Sequence, residues 1–187
     1  LEYIRRCGNI PTVYCSTNKT FSDIINDISV IEEEKRYVWG QIKYLGSSFD
    51  PLLAGIDIID GFPEAINELF PVSGFGKYGH SMYGVSKLTG EQYATEYHVQ
   101  YGLPVVINKM SCIFGLFQKG CPDQGWISSF LLDVLHNKPI TFFGTGKQVR
   151  DVLDARDVAR LYIDELEQID KCNGEIFTVG GGPENTV

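Results

Sequence analysis

No stretch of this 187-residue sequence approaches the roughly 20 consecutive apolar residues that cross a bilayer, so no membrane span is expected. Basic residues are scarce: 16 Lys and Arg stand against 24 Asp and Glu, a net charge of −8. No basic stripe could track a phosphate backbone, which excludes a nucleic-acid binder. The five cysteines (Cys7, Cys15, Cys112, Cys121, Cys172) never fall in C-x-x-C spacing, which argues against a zinc site or a redox pair. Their odd number suits the reduced thiols of a cytoplasmic protein. The three histidines, His80, His98 and His136, do not cluster as metal ligands, so no metal is expected. Internal repeats, low-complexity tracts and an obvious interdomain linker are also missing. No signal peptide is visible, and a first residue of Leu implies that the true N-terminus lies upstream.

What is present reads as one globular unit: 43% of residues are hydrophobic and 21% charged, near soluble averages. "LEYIRRCG" predicts helix stopped at Gly8, and "TVYCS" (Thr12 to Ser16) a short strand. Residues 17 to about 79 form a long irregular region with an acidic patch at Glu32, Glu33 and Glu34. Only residues 63–70 in it look helical, and its length suggests an insertion covering a site. Helical spacing follows from Ser81 to about Gln100, stopped by Gly102. "LPVVIN" (Leu103 to Asn108) is continuous enough for a parallel strand buried on both faces. A helix at Trp126 to Leu135, a strand at "PITFFG", a helix capped by Asp154 and a last strand in "GEIFTVGGG" complete the reading. Alternating strands and helices predict an α/β protein with a mainly parallel sheet.

The stretch "GFGKYGHSMYGVSK" carries two overlapping patterns. Gly74, Gly76 and Gly79 spell G-x-G-x-x-G, but the preceding "ELFPVS" is a poor strand and no carboxylate follows at the required distance. A plain loop is the better reading. Tyr83 and Lys87 lie four apart on one helix face, in a row continued by Glu91 and Thr95. An ammonium about 4 Å from a phenol, at an effective dielectric near 20, contributes roughly 4 kcal/mol. That amounts to on the order of three pK units before opposing desolvation, enough to bring a phenol from near 10 toward neutrality. Such a phenol could accept a proton from a sugar hydroxyl. Ser16 and Thr17, where open α/β sheets place ligands, could donate to the same substrate oxygen.

With "STNK" (Ser16 to Lys19), "YGVSK" (Tyr83 to Lys87), "DQGW" (Asp123 to Trp126) and "GKQVRDVL" (Gly146 to Leu153), the sequence resembles the extended short-chain dehydrogenase/reductases. It is similar to their NAD-dependent nucleotide-sugar epimerase and dehydratase family, and most of all to the CDP-tyvelose (CDP-paratose) 2-epimerases. The resemblance implies a Rossmann-like parallel sheet whose N-terminal glycine-rich βαβ segment is absent from this chain. Residues 1–111 would be the C-terminal portion of the NAD-binding domain, with the insertion at about 20–79, and 112–187 mainly the substrate-binding part. It further implies that Thr17 bonds the reacting sugar oxygen, Tyr83 is the base, and Lys87 holds the nicotinamide ribose and lowers the phenol's pKa. Arg150 would neutralise the nucleotide diphosphate. Asp157 sits where the family fixes nucleotide or ribose, although a cap or salt bridge explains it equally well.

Several positions depart from the family pattern. Thr20-Phe21-Ser22 replaces Val-Tyr-Gly, Met82 a common Pro, Lys109 a frequent Arg, Phe114 a frequent Tyr and Cys112 a common Asn. Family dehydratases carry an acidic pair after the Thr; here Asn18 and Lys19 stand there, which disfavours elimination. The resemblance therefore implies an epimerase that oxidises a sugar hydroxyl with NAD and re-reduces the keto sugar on its other face, the substrate being a nucleotide-sugar and in particular a CDP-sugar. A 4,6-dehydratase of the same family, or a truncated non-catalytic binding module, are the alternatives. A homodimer through the 81–100 helix is implied as well; Leu88, Tyr93, Tyr97 and Val99 offer apolar area there but could equally pack on the sheet.

Overall fold

The computed structural model describes residues 1–40, 56–59, 62–73, 78–121 and 124–182. Gly74 and Gly76 of the glycine triplet, and Asp123, lie outside the described residues. Three parallel strands form the central sheet in the order β1 (Thr12–Thr17), β6 (Val105–Met110), β9 (Ile176–Val179). β1 and β6 run in register from Thr12 opposite Val105 to Thr17 opposite Met110. Every residue of β6 is buried, as a central strand covered on both faces requires.

Helix α1 (Glu2–Arg6) precedes the sheet, and α2 (Met82–Tyr101) packs on one of its faces. Its residue Ala94 joins Val105 and Ile107 in a buried cluster with Leu1, Tyr14 and Ile176 around it. The opposite face carries α4 (Ala155–Glu167), followed by the single turn α5 (Ile169–Cys172). There Met110, Leu153 and Val158 form a second core. Asp154 caps α4 by accepting from the Arg156 amide at 2.8 Å, as its position before the apolar period predicts. The Arg156 guanidinium, donating to both oxygens of that carboxylate, holds the Asp154 pKa down at about 2.

The region after Thr17 is less irregular than its composition suggests. Two short 3-10 turns, Asn18–Thr20 and Asp23–Asp27, lead into the antiparallel pair β2 (Val30–Glu32) and β3 (Tyr37–Trp39). A second pair joins β4 (Ile56–Ile59) to β5 (Phe62–Ile66), so the predicted helix over 63–70 is a strand for its first half. The apolar spacing there fits a helix, but eight residues are too few to resist a partner strand. Phe21, Ile56 and Phe70 close a third core beneath these hairpins, the two rings edge-on at 5.8 Å.

In the C-terminal part, β7 (Cys112–Phe114) pairs in parallel with β8 (Val152–Asp154), and α3 spans Trp126–Leu135 as predicted. The expected strand at "PITFFG" is not one: residues 138–143 are irregular, with Phe143 84% exposed. Among the described residues no strand lies beside them, and a β-rich run without a ladder partner has nothing to hold it extended.

Candidate active site

Helix α2 begins where Ser81 accepts from the Gly84 amide at 3.0 Å and ends at Gly102, whose left-handed φ of 65° closes the last turn. Two glycines let this helix lie directly on β1 and on the turn that follows it. A Cβ at Gly84 would overlap the Lys19 carbonyl oxygen, and one at Gly90 would overlap the Tyr14 hydroxyl. The Tyr14 hydroxyl in turn donates to the Lys87 carbonyl at 3.2 Å. Tyr83, in the first turn, is 54% exposed. One turn on, Lys87 Nζ donates to the Cys15 carbonyl at 2.8 Å and lies 5.7 Å from the Tyr14 ring centroid.

Thr17 ends β1 at the C-terminal edge of the parallel sheet and is 8% exposed. Its Oγ1 accepts from the Lys19 amide at 3.3 Å, opening the turn that follows. Thr17 is thus bracketed: the residue two before it accepts from Lys87, and the residue two after it abuts Gly84, Tyr83's neighbour. Lys87 thus reaches the backbone two residues before Thr17, and the first turn of α2, which carries Tyr83, packs against the backbone two residues after it. Ser16 does not join them. Its hydroxyl is buried and donates to Glu91 Oε1, so it is not available to a substrate oxygen.

Behind this surface is a buried polar group that motif reading missed. Lys109 is 1% exposed and donates from Nζ to Glu91 Oε2 and to Thr20 Oγ1, both at 2.6 Å. Thr20 Oγ1 donates onward to the Thr17 carbonyl at 2.9 Å. The Lys109 ammonium also stands 5.0 Å from the Phe21 ring centroid. The signal was in the sequence: a Lys within an otherwise apolar strand, and a Glu continuing the Tyr83–Lys87 row, must find each other or remain uncompensated.

Arg150 is exposed and donates to the Val149 carbonyl at 2.8 Å; among the described residues no hydrogen bond or ion pair links it to Thr17, Tyr83 or Lys87. Asp157 accepts from Arg160 at 3.3 Å on the exposed face of α4. Cys112 accepts from Trp126 Nε1 at 3.2 Å. The acidic hairpin reaches the segment before Arg150: Lys147 Nζ donates to Glu32 Oε1 at 2.8 Å and to the Glu33 carbonyl at 2.9 Å. A cavity of about 440 Å³ lies on the α4 side, lined by Leu161, Glu165, Cys172 and Phe177, and includes none of the predicted site residues.

Chemically, the α2–β1 edge offers a half-open phenol, an ammonium using one of its three N–H donors on Cys15, and a threonine hydroxyl. Such a donor set suits the hydroxyls of a dinucleotide ribose and of a sugar substrate. Residues 65–180 match the NAD dependent epimerase/dehydratase family, and the chain belongs to it. Over 193 aligned residues it is 32% identical to the CDP-paratose 2-epimerase of Salmonella typhi, covering 100% of this chain and 49% of that protein. The dTDP-D-glucose 4,6-dehydratase of Bos taurus is 33% identical over 105 residues, 56% of this chain and 28% of that one. The fold is shared with the UDP-glucose 4-epimerase of Thermus thermophilus solved with NAD, at TM-score 0.61 and 22% identity, over 97% of this chain and 46% of that one. The chain spans about half the length of the curated relatives that match most of it.

Proposed function

We propose that the protein carrying this chain is an NAD-dependent nucleotide-sugar epimerase, with a CDP-linked sugar as substrate. The Lys87–Cys15 hydrogen bond carries the reading, because it brings an ammonium to the C-terminal end of the parallel strand that closes with the Thr17 hydroxyl. Residues 1–111 serve the dinucleotide and 112–187 mainly the substrate. Tyr83 takes the proton from a sugar hydroxyl. Thr17 donates to the same oxygen and orients it. Lys87 bonds ribose hydroxyls with its remaining N–H groups and stabilises the Tyr83 phenolate. NAD, when bound, supplies a reversible hydride acceptor. Tyr83 then returns its proton to the sugar oxygen after the keto sugar has turned. Arg150, exposed within the substrate-binding part, neutralises the diphosphate with its planar donors.

Asn18 and Lys19 favour epimerisation over dehydration, since an amide and an ammonium are poor stand-ins for the carboxylic acid and carboxylate that loss of water needs. The complete protein, supplied with NAD, is to be screened against CDP-, UDP-, GDP- and dTDP-sugars with analysis of product stereochemistry. One CDP-sugar is expected to give an epimer without net change in NAD. Tyr83→Phe should then lower kcat by about 10²- to 10⁴-fold with the fold intact, the side chain being half exposed. Wild-type turnover by this variant, or a dehydrated product, refutes the reading.

A further inference from the structure

We infer that Lys109 is a positioning residue which, through one buried ammonium, fixes both the helix bearing the base and the turn bearing Thr17; this rests on the reading of Tyr83 as the base. Tyr83, Lys87 and Glu91 occupy successive i,i+4 positions and so lie on one side of α2. Lys87 is tied to the Cys15 carbonyl, and Glu91 to Ser16 by one oxygen and to Lys109 by the other. Two fixed points on one helical row leave no freedom to roll, so the direction in which the Tyr83 Cα–Cβ bond leaves the helix is set. On the other side, the same Nζ donates to Thr20 Oγ1, which donates to the Thr17 carbonyl. Tyr83 and Thr17 are thereby referred to a single atom.

Burial argues that this is more than incidental pairing. The Lys109 and Glu91 side chains are 2% and 4% exposed, whereas the pairs at Glu2 and Asp154 lie at the surface. A buried ion pair gains little over an apolar pair of the same volume, so its value lies in the geometry it imposes. Here that geometry joins β1, β6, α2 and the turn after Thr17. Lysine suits the place because its compact ammonium serves two acceptors at 2.6 Å while facing the Phe21 ring.

The test uses the complete protein, with steady-state kinetics and amide hydrogen exchange on Lys109→Met, Lys109→Arg and the double variant Lys109→Met/Glu91→Met. The double variant removes both charges and keeps the test open should Lys109→Met alone not fold. Misplacing the base relative to the substrate oxygen should lower kcat by about tenfold to a hundredfold, with KM within about twofold of wild type. Lys109→Arg, which keeps the charge, should recover part of that loss. Exchange should quicken at residues 17–20 and 83–91 and stay unchanged in α4 and β9. Wild-type kcat in the double variant, or a loss of protection spread evenly over the chain, overturns the inference. Should the wild-type protein turn over no nucleotide-sugar, the assignment of the base fails, and the exchange pattern alone decides whether Lys109 fixes both segments.

Discussion

On the far side of the sheet from Tyr83, Asn108 and Glu165 make a second buried polar contact, Asn108 Nδ2 donating to Glu165 Oε2 at 2.8 Å. Among the described residues no cation pairs with this carboxylate as Lys109 pairs with Glu91. Burial therefore pushes the Glu165 pKa up, and the Asn108 hydrogen bond only partly opposes it. A carboxyl raised in the folded state contributes most below its unfolded pKa of about 4.3 and loses that contribution as pH rises through the raised value. Glu165→Gln keeps an acceptor for Asn108 and removes the buried charge. It is expected to raise the urea midpoint at pH 7, with the gain vanishing below about pH 4. A lower midpoint at pH 7 would mean that the charge has a favourable partner. At this scale the motif made the family legible, with Tyr83 and Lys87 one turn apart on α2 and Thr17 at the end of β1. The sequence was opaque for Ser16, whose hydroxyl serves Glu91, because alternation along β1 turns Ser16 toward α2 and no motif says so.

Helices and strands were read well where their signals were local. Ser81 and Gly102 bound α2, Asp154 caps α4, and α3 runs from Trp126 to Leu135 as its period implies. The errors at 63–70 and 139–144 have one cause: a short apolar run takes the form its neighbours allow, and those neighbours are distant in sequence. The approach of α2 to β1 was equally hidden, since it depends on what faces Gly84 and Gly90. Gly84 is the more demanding, because the Lys19 carbonyl is backbone and cannot swing aside as the Tyr14 hydroxyl can. Gly84→Ala is expected to cost about 1–3 kcal/mol in chemical denaturation, as overpacking does. Its activity should fall further than that of Gly90→Ala, because it displaces the turn that carries Thr17. Equal activity in the two variants would count against so close a fit between α2 and that turn.

At the scale of the whole molecule, α2 presents apolar surface, with Tyr93 and Val99 60% and 65% exposed. Tyr97 of the same stretch is engaged within the chain, its ring 5.2 Å from that of Tyr101 and its hydroxyl donating to Glu2 at 3.4 Å. A homodimer through α2 is therefore proposed to use Tyr93 and Val99. Sedimentation velocity should show a dimer that Tyr93→Glu and Val99→Glu weaken, and a wild-type monomer at every concentration would refute it. The sheet's topology also has a consequence for how the protein is made. β1 pairs with β6, almost a hundred residues later, Thr12 meeting Val105 and Thr17 meeting Met110. During translation, Thr17 has left the ribosome long before Met110 emerges, so the pairing of β1 with β6 waits until the residues between are synthesised. The site is thus completed late, and a pause in translation before Met110 would prolong the interval in which the β6-facing edge of a nascent β1 is open to the wrong partner.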